Sequence, residues 1–135
     1  MRDLEAIKTE LEAQPSVLLA VLFGSVARGR SGPQSDLDLG VQLDPDTPQE
    51  RRRIEVLAAR ATRRQTDVVF LDDAPPLLRF QIARDGRVLV EHQPRAWPRF
   101  KEKAMTDWWD WAPTARKINA IYLRRLKEQV AHGGS

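Results

Sequence analysis

The stretch GSVARGRSGPQSDLDL, residues 24–39, decides how this chain folds and which chemistry it can carry. It follows the apolar run VLLAVLF, residues 17–23, which is short and rich in valine and leucine, as buried strands are. A strand that ends at a Gly-Ser pair and enters a helical turn exposes backbone N–H groups and the positive end of a helix dipole. Gly24 has no side chain that could obstruct a phosphate, and the hydroxyl of Ser25 can donate to a phosphate oxygen. The turn is therefore a candidate phosphate-binding site.

The segment DLDLGVQL, residues 36–43, alternates strictly between polar or small residues and apolar ones. This alternation predicts a strand that carries Asp36, Asp38 and Gly40 on one face and a row of apolar side chains on the other. Asp67 begins a later candidate strand, which could lie alongside. Carboxylates alone favour hard cations such as Mg²⁺ or Mn²⁺, and two such ions about 3.5–4 Å apart can activate an attacking hydroxyl and steady a leaving pyrophosphate. On this face, we expect the missing side chain of Gly40 to leave room for a nucleotide.

The rest of the chain reads as alternating helices and strands. Helices are predicted over residues 2–13, about 49–64 and 75–84, and strands over 17–23, 36–43, 66–72 and 87–92. Asp72 and Asp73 are expected to cap the helix that follows them. From Trp97 onward the pattern is helical and interrupted at Pro113. The order of elements predicts an α/β domain over residues 1–94, followed by a helical extension over residues 95–135.

Composition limits the class of protein. The 135 residues suit one modest domain, and the absence of cysteine excludes disulfides and thiolate metal sites. No apolar run reaches the length of a membrane span, and the first fifteen residues lack the apolar segment of a secretory signal, so the cytoplasm is the expected location. Residues 1–94 carry 13 basic and 15 acidic side chains, and residues 95–135 carry 9 and 4, so that the two parts have net charges of −2 and +5. The basic part predicts either a solvated helix face or contact with an acidic partner or nucleic acid.

The pattern Gly-Ser, ten residues, Asp-x-Asp resembles the signature of the DNA polymerase β-like nucleotidyltransferase superfamily. More narrowly, GSVARG and SDLDLGV, together with TDVVFLDDAPPLLRFQIARDGRVLVE, resemble the minimal nucleotidyltransferases (MNT, or MntA-type) that act as antitoxins beside HEPN-domain toxins. The resemblance covers roughly residues 15–92. It implies an α+β core with a small mixed sheet flanked by helices. It also implies that Gly24 and Ser25 bind the triphosphate, and that Arg28 contacts phosphate or stabilises the loop.

The same resemblance assigns roles to the three aspartates. Asp36 and Asp38 would be ligands of two divalent cations, Mg²⁺ or Mn²⁺. Asp67 would be the third carboxylate, which binds the catalytic metal and favours deprotonation of the incoming hydroxyl. ATP as the nucleotide substrate rests on the resemblance as well.

The acceptor of the nucleotide is not determined by the fold. A bare catalytic core with a helical extension suits a macromolecular acceptor. Our leading hypothesis is transfer of AMP to the hydroxyl of a tyrosine on a cognate HEPN toxin. The chain would form a hetero-oligomer with that toxin. Alternatives are an antitoxin that acts mainly by binding, a nucleotidyltransferase for a small molecule such as an aminoglycoside, and modification of RNA.

Four tryptophans and a phenylalanine cluster in the C-terminal segment: Trp97, Phe100, Trp108, Trp109 and Trp111. Such side chains either pack terminal helices onto the sheet or form a partner surface. We expect packing for some of them and an interface for others.

Overall fold

The computed structural model describes residues 2–27, Gly29 and residues 36–133. Its helices are α1 (Arg2–Glu12), α2 (Gly24–Ala27), α3 (Pro48–Ala61), α4 (Pro76–Asp85) and α5 (Ala96–Gly133). Its strands are β1 (Val17–Phe23), β2 (Leu37–Leu43), β3 (Thr66–Phe70) and β4 (Arg87–Glu91), and a 3-10 turn, Leu71–Asp73, follows β3. Each element lies where the sequence pattern predicts it, within a few residues.

The four strands form one mixed sheet in the order β3-β2-β1-β4. β1 pairs antiparallel with both β2 and β4, whereas β2 and β3 are parallel. This confirms the predicted α+β class with a small mixed sheet flanked by helices.

Each face of the sheet has its own hydrophobic core. On one face, Ile7 and Leu11 of α1 and Ile54 of α3 pack against apolar side chains of β1 and β2. On the other face, Ile82 of α4 and Phe100 of α5 belong to a second buried cluster, formed together with side chains of β1. The first part of α5 therefore shares a core with the sheet, and the domain boundary at residue 94 stays a prediction.

Local contacts stabilise the start of α3. Thr47 caps the helix, because its Oγ1 accepts a hydrogen bond from the backbone N–H of Glu50 at 3.1 Å. Arg51 forms ion pairs with Asp46 and Asp73 and lies over the ring of Phe70.

Two details of the predicted elements were wrong. α5 runs without interruption through Pro113. A proline inside a helix removes one backbone hydrogen bond, and here the turns on either side remain helical and Pro113 itself is exposed. Asp72 and Asp73 do not cap α4, whose N-terminal cap is Pro75 without a side-chain hydrogen bond. They lie in the 3-10 turn instead, where Asp73 pairs with Arg51 and Asp72 accepts from another side chain.

No helix within the described residues has both the length and the apolar character that a membrane span requires.

Candidate active site

Gly24 is the residue at which β1 ends and α2 begins. Its φ is +74°, in the left-handed region that residues with a Cβ rarely adopt. A Cβ at this position would overlap the Oδ2 atom of Asp38 and lie 3.1 Å from its Cγ. Gly24 is thus required both by the backbone of the turn and by the carboxylate beside it, a contact that the sequence reasoning missed.

Strand pairing explains how Gly24 and Asp38 come together. In the antiparallel pair of β1 and β2, Phe23 is the register partner of Asp38, so the turn that follows Phe23 meets the beginning of β2. Nothing in the separation of these residues along the chain predicts this contact, because it depends on which strands pair and in which register.

The parallel pair of β2 and β3 places Asp67 beside Asp38. The two residues are register partners, and the backbone N–H of Leu37 donates to the carbonyl of Gln65 at 2.9 Å where the ladder begins. Register partners in a sheet project their side chains from the same face. The predicted neighbourhood of Asp38 and Asp67 is therefore present in the structure, at the N-terminal ends of both strands.

The carboxylates influence one another electrostatically. Asp38 is half-buried, whereas Asp36 and Asp67 are exposed. Burial, followed by the negative charges of Asp67 and then Asp36, raises the pKa of Asp38 above its ordinary value of 3.8. The site therefore concentrates negative charge at one corner of the sheet.

This charge concentration suits a divalent cation by the chemistry of its donors. Oxygen ligands from carboxylates are those that Mg²⁺ and Mn²⁺ favour, and a bound cation would relieve the repulsion that raises the pKa of Asp38. Within residues 2–27, 29 and 36–133, no three His, Cys, Asp or Glu side chains are already gathered closely enough to enclose an ion.

Ser25 and Arg28 are less fully described. Ser25 lies in α2, next to Gly24, as predicted for a residue of the phosphate-binding turn. Its side chain and the whole of Arg28 lie outside the described part of the chain, so their predicted contacts with phosphate stay predictions.

Gly40 has a different role from the one expected. A Cβ at Gly40 would lie 2.5 Å from Cδ2 and 3.2 Å from Cγ of Leu71, a fully buried side chain. The space beside Gly40 is therefore filled by the 3-10 turn and is not open to a nucleotide. Farther along the same face, Gln42 donates from its Nε2 to Oδ1 of Asp72 at 3.1 Å.

The aromatic cluster divides between packing and exposure. Trp97 stacks on Phe100 with ring centroids 5.8 Å apart, and Trp108 stacks on Phe80 of α4 at 5.0 Å. Trp109, in contrast, is 75% exposed and projects from α5. The prediction that some of these side chains pack is confirmed, and Trp109 is left as the candidate for contact with a partner.

The chain is similar to a known protein family and to several solved structures. A family model described as polymerase beta, nucleotidyltransferase, matches residues 5–95. A toxin–antitoxin structure with AMP-PNP has a TM-score of 0.73 at 24% identity, covering 88% of this chain and 98% of that one. An MntA–HepT toxin–antitoxin structure has a TM-score of 0.67 at 22% identity, with 89% and 97% covered. A tri-AMPylated HEPN toxin from Shewanella oneidensis in complex with an MNT antitoxin contributes a chain with a TM-score of 0.68 at 22% identity, with 89% and 96% covered.

At these identities the likeness to solved structures is one of fold. Comparison with curated protein sequences gives no significant match. The family model, however, spans about two thirds of the chain and includes the glycine turn and all three aspartates. Together with the geometry of that corner of the sheet, this match establishes that the chain belongs to the polymerase beta nucleotidyltransferase family.

Proposed function

We propose that this protein is an antitoxin that transfers AMP from ATP to a hydroxyl group, on a tyrosine, of a HEPN-domain toxin in the cytoplasm. The observation that carries the proposal is the meeting of the Gly24 turn with Asp38 and Asp67 at one corner of the sheet. The family supports nucleotidyl transfer as the chemistry. The acceptor is supported by the toxin–antitoxin complexes that share the fold, one of which holds AMP-PNP and another a tri-AMPylated toxin.

In the proposed reaction, the turn binds the triphosphate. Backbone N–H groups at Gly24 and Ser25 face the phosphates, the Ser25 hydroxyl donates to a phosphate oxygen, and Arg28 adds a positive charge. Because Asp38 lies so close to Gly24, a triphosphate bound at this turn would lie directly beside the carboxylates. Its α-phosphorus would then be within reach of an attacking hydroxyl.

The transfer itself is an in-line displacement. The acceptor oxygen forms a bond to the α-phosphorus, while the bond from that phosphorus to the oxygen that bridges to the β-phosphate breaks, and pyrophosphate leaves with the bonding electrons. Asp67 accepts the hydroxyl proton and passes it to water, which its exposed position permits. Two Mg²⁺ or Mn²⁺ ions, held by Asp36 and Asp38 and one of them also by Asp67, would supply positive charge to the triphosphate and to the attacking oxygen.

Modification of a toxin would inactivate it through charge and bulk. An AMP group attached to a tyrosine adds a negative phosphodiester and a nucleoside, which obstruct an RNA-binding surface that depends on attraction to phosphate. More than one transfer per toxin is also part of this proposal, since the toxin in one similar complex is tri-AMPylated.

The test is incubation of the proposed partner, a HEPN-domain toxin, with ATP, Mg²⁺ and the protein, followed by mass spectrometry of the intact toxin. We expect the toxin to gain one or more AMP units and to lose RNase activity. A double variant, Asp36→Asn with Asp38→Asn, should abolish the gain in mass. Asp44→Asn is the control, because it makes the same type of substitution, for one carboxylate, at an exposed residue just beyond the opposite end of β2. An unmodified toxin in the wild-type reaction would refute AMP transfer to this acceptor.

A second candidate, an antitoxin that acts mainly by binding, is favoured by one observation. Trp109 on α5 is 75% exposed, and tryptophan is enriched among the side chains that contribute most to binding at protein interfaces. Inhibition of the toxin that persists undiminished in the double aspartate variant would support binding. Pyrophosphate release with an aminoglycoside and no toxin would instead support a small-molecule acceptor.

A further inference from the structure

A cavity of about 250 Å³ lies on the same face of the sheet as the aspartates, farther along β2. Its polar lining consists of Gln42, Asp72, Arg79, Gln93, Arg99 and Lys103. Gln42 follows Asp38 by four residues on the same face, which corresponds to a distance of about 13 Å along a strand. The cavity is therefore separate from the three carboxylates, yet one extended ligand could reach both.

The lining carries an excess of positive charge. Three of its side chains are cationic and one is anionic, which gives a net charge of +2. Arg99 and Lys103 are exposed and stand four residues apart on α5, where like charges repel each other. Neither forms an ion pair with any other residue in the described part of the chain, so their charge is available to an anion.

Arg79 adds a hydrogen-bond donor that lacks an acceptor. Its Nη1 donates to Oδ2 of Asp107 at 2.7 Å, and its guanidinium lies over the ring of Phe100. Its Nε is buried and has no partner among the described atoms. A buried N–H without an acceptor is unfavourable, so the guanidinium of Arg79, which lines the cavity, retains unmet hydrogen-bonding capacity.

The remaining polar groups suit an oxyanion of low charge. The single carboxylate of the lining, Asp72, already accepts a hydrogen bond from the amide of Gln42. Gln93 contributes a second amide. Guanidinium, ammonium and amide donors around a small cavity match the oxygens of a phosphate group better than they match a metal ion or an apolar ligand.

We propose that this cavity binds the first phosphodiester of a chain of nucleotides already attached to the acceptor, while the next transfer takes place at the aspartates, at the far end of that chain. A single nucleotide is too short to extend from the cavity to the aspartates, so the cavity acts in the third transfer. The proposal rests on the proposed function, namely successive AMP transfer. Each later transfer is the same reaction: a ribose hydroxyl of the attached nucleotide bonds to the α-phosphorus of a new ATP, pyrophosphate leaves with the electrons of the broken bond, and the proton passes through Asp67 to water. If the attached nucleotides stay bound, the next addition is faster than one for which they must first bind again from solution.

Binding is tested first, without any toxin. The dinucleoside monophosphate ApA carries one phosphodiester and cannot release pyrophosphate, and inorganic phosphate is the comparison ligand. In calorimetric titrations, Arg99→Gln combined with Lys103→Gln should weaken ApA binding roughly tenfold or more, because two charged contacts are lost. The matched control, Arg52→Gln with Arg63→Gln, removes two exposed charges away from the cavity and should bind ApA as the wild type does. Equal ApA affinity in the cavity variant and the wild type would overturn the site, and tighter binding of inorganic phosphate than of ApA would overturn its assignment to an attached nucleotide.

Transfer is tested second, by resolving toxins with one, two and three AMP units over time. The cavity variant should make the first two additions at the wild-type rate and slow the third roughly tenfold or more. A uniform slowing of every addition, an unchanged distribution or a wild-type protein that adds only one or two AMP units would each overturn the role in successive transfer. A wild-type protein that adds none would refute the proposed function itself, and the ApA titration would then still show whether the cavity binds a phosphodiester.

Discussion

Substitution of Gly24 by alanine separates two effects that the structure assigns to this glycine. A left-handed backbone costs an L-residue roughly 1–2 kcal/mol, which lowers the melting temperature of a domain of this size by roughly 3–10 °C. In addition, the new Cβ would displace the Asp38 carboxylate, whose Oδ2 occupies its place. Because a displaced charged group at a phosphoryl-transfer site costs roughly 100-fold or more in rate, we expect Gly24→Ala to fold and to lose nearly all transfer activity.

Gly29 offers a matched control for this experiment. Its φ of +73° equals that of Gly24 within a degree, and a Cβ added there would meet nothing within 4 Å. Gly29→Ala should therefore show the same loss of melting temperature with activity close to that of the wild type. The two variants are compared by thermal unfolding, by the initial rate of AMP transfer and by titration with Mn²⁺. Equal activities in the two variants, at equal melting temperatures, would refute the inference that Gly24 is kept free of a side chain for Asp38.

Three further perturbations test the electrostatics, packing and capping. Since the pKa of Asp38 is raised, its protonated form favours folding; this contribution is complete below the ordinary pKa of 3.8 and is lost as the pH rises through the folded-state pKa. Without metal, the melting temperature of Asp38→Asn should therefore increase relative to that of the wild type as the pH rises. Excess Mg²⁺ should stabilise only the wild type. Gly40→Ala should destabilise the fold by about 1–3 kcal/mol through its clash with Leu71, and a double-mutant cycle with Leu71→Ala measured in urea should show strong coupling, whereas additive effects would contradict the clash. Thr47→Ala should cost about 1 kcal/mol by removing the acceptor for the N–H of Glu50, and an unchanged urea midpoint would show that this cap contributes nothing.

Much of the fold follows from local patterns in the sequence. The alternation in residues 36–43 predicts the strand and both of its faces, and the apolar run at residues 17–23 predicts a buried strand with the observed bounds. These predictions succeed because the period of a strand is recorded in the sequence itself. The proximity of Asp38 to Asp67 is also predicted, on the assumption that their strands lie side by side.

Features that depend on tertiary contacts could not be predicted in the same way. The surroundings of Gly40 are one example. The space beside it is filled by Leu71, which belongs to a 3-10 turn, whereas the sequence pattern predicts that Leu71 is part of a strand. Asp73 is another, since an aspartate before a proline-led helix reads as a cap, but the cation that it binds is Arg51 on a different helix. The local pattern predicts a helix cap, but the ion pair with Arg51, which depends on how the elements pack, determines where Asp73 lies.

Asp38 owes its central position to the mixed character of the sheet. Antiparallel pairing with β1 brings the Gly24 turn to the beginning of β2, and parallel pairing with β3 brings Asp67 to the same place. Asp38 is the register partner of Phe23 on β1 and of Asp67 on β3, so it lies between the Gly24 turn and the carboxylate of Asp67. A purely antiparallel sheet with the same strands would separate the Gly24 turn from Asp67, and a purely parallel one would separate it from both Asp38 and Asp67. The half-buried, charge-crowded environment that raises the pKa of Asp38 is thus a direct consequence of the strand order, and the same order leaves the opposite end of this face free for the basic cavity.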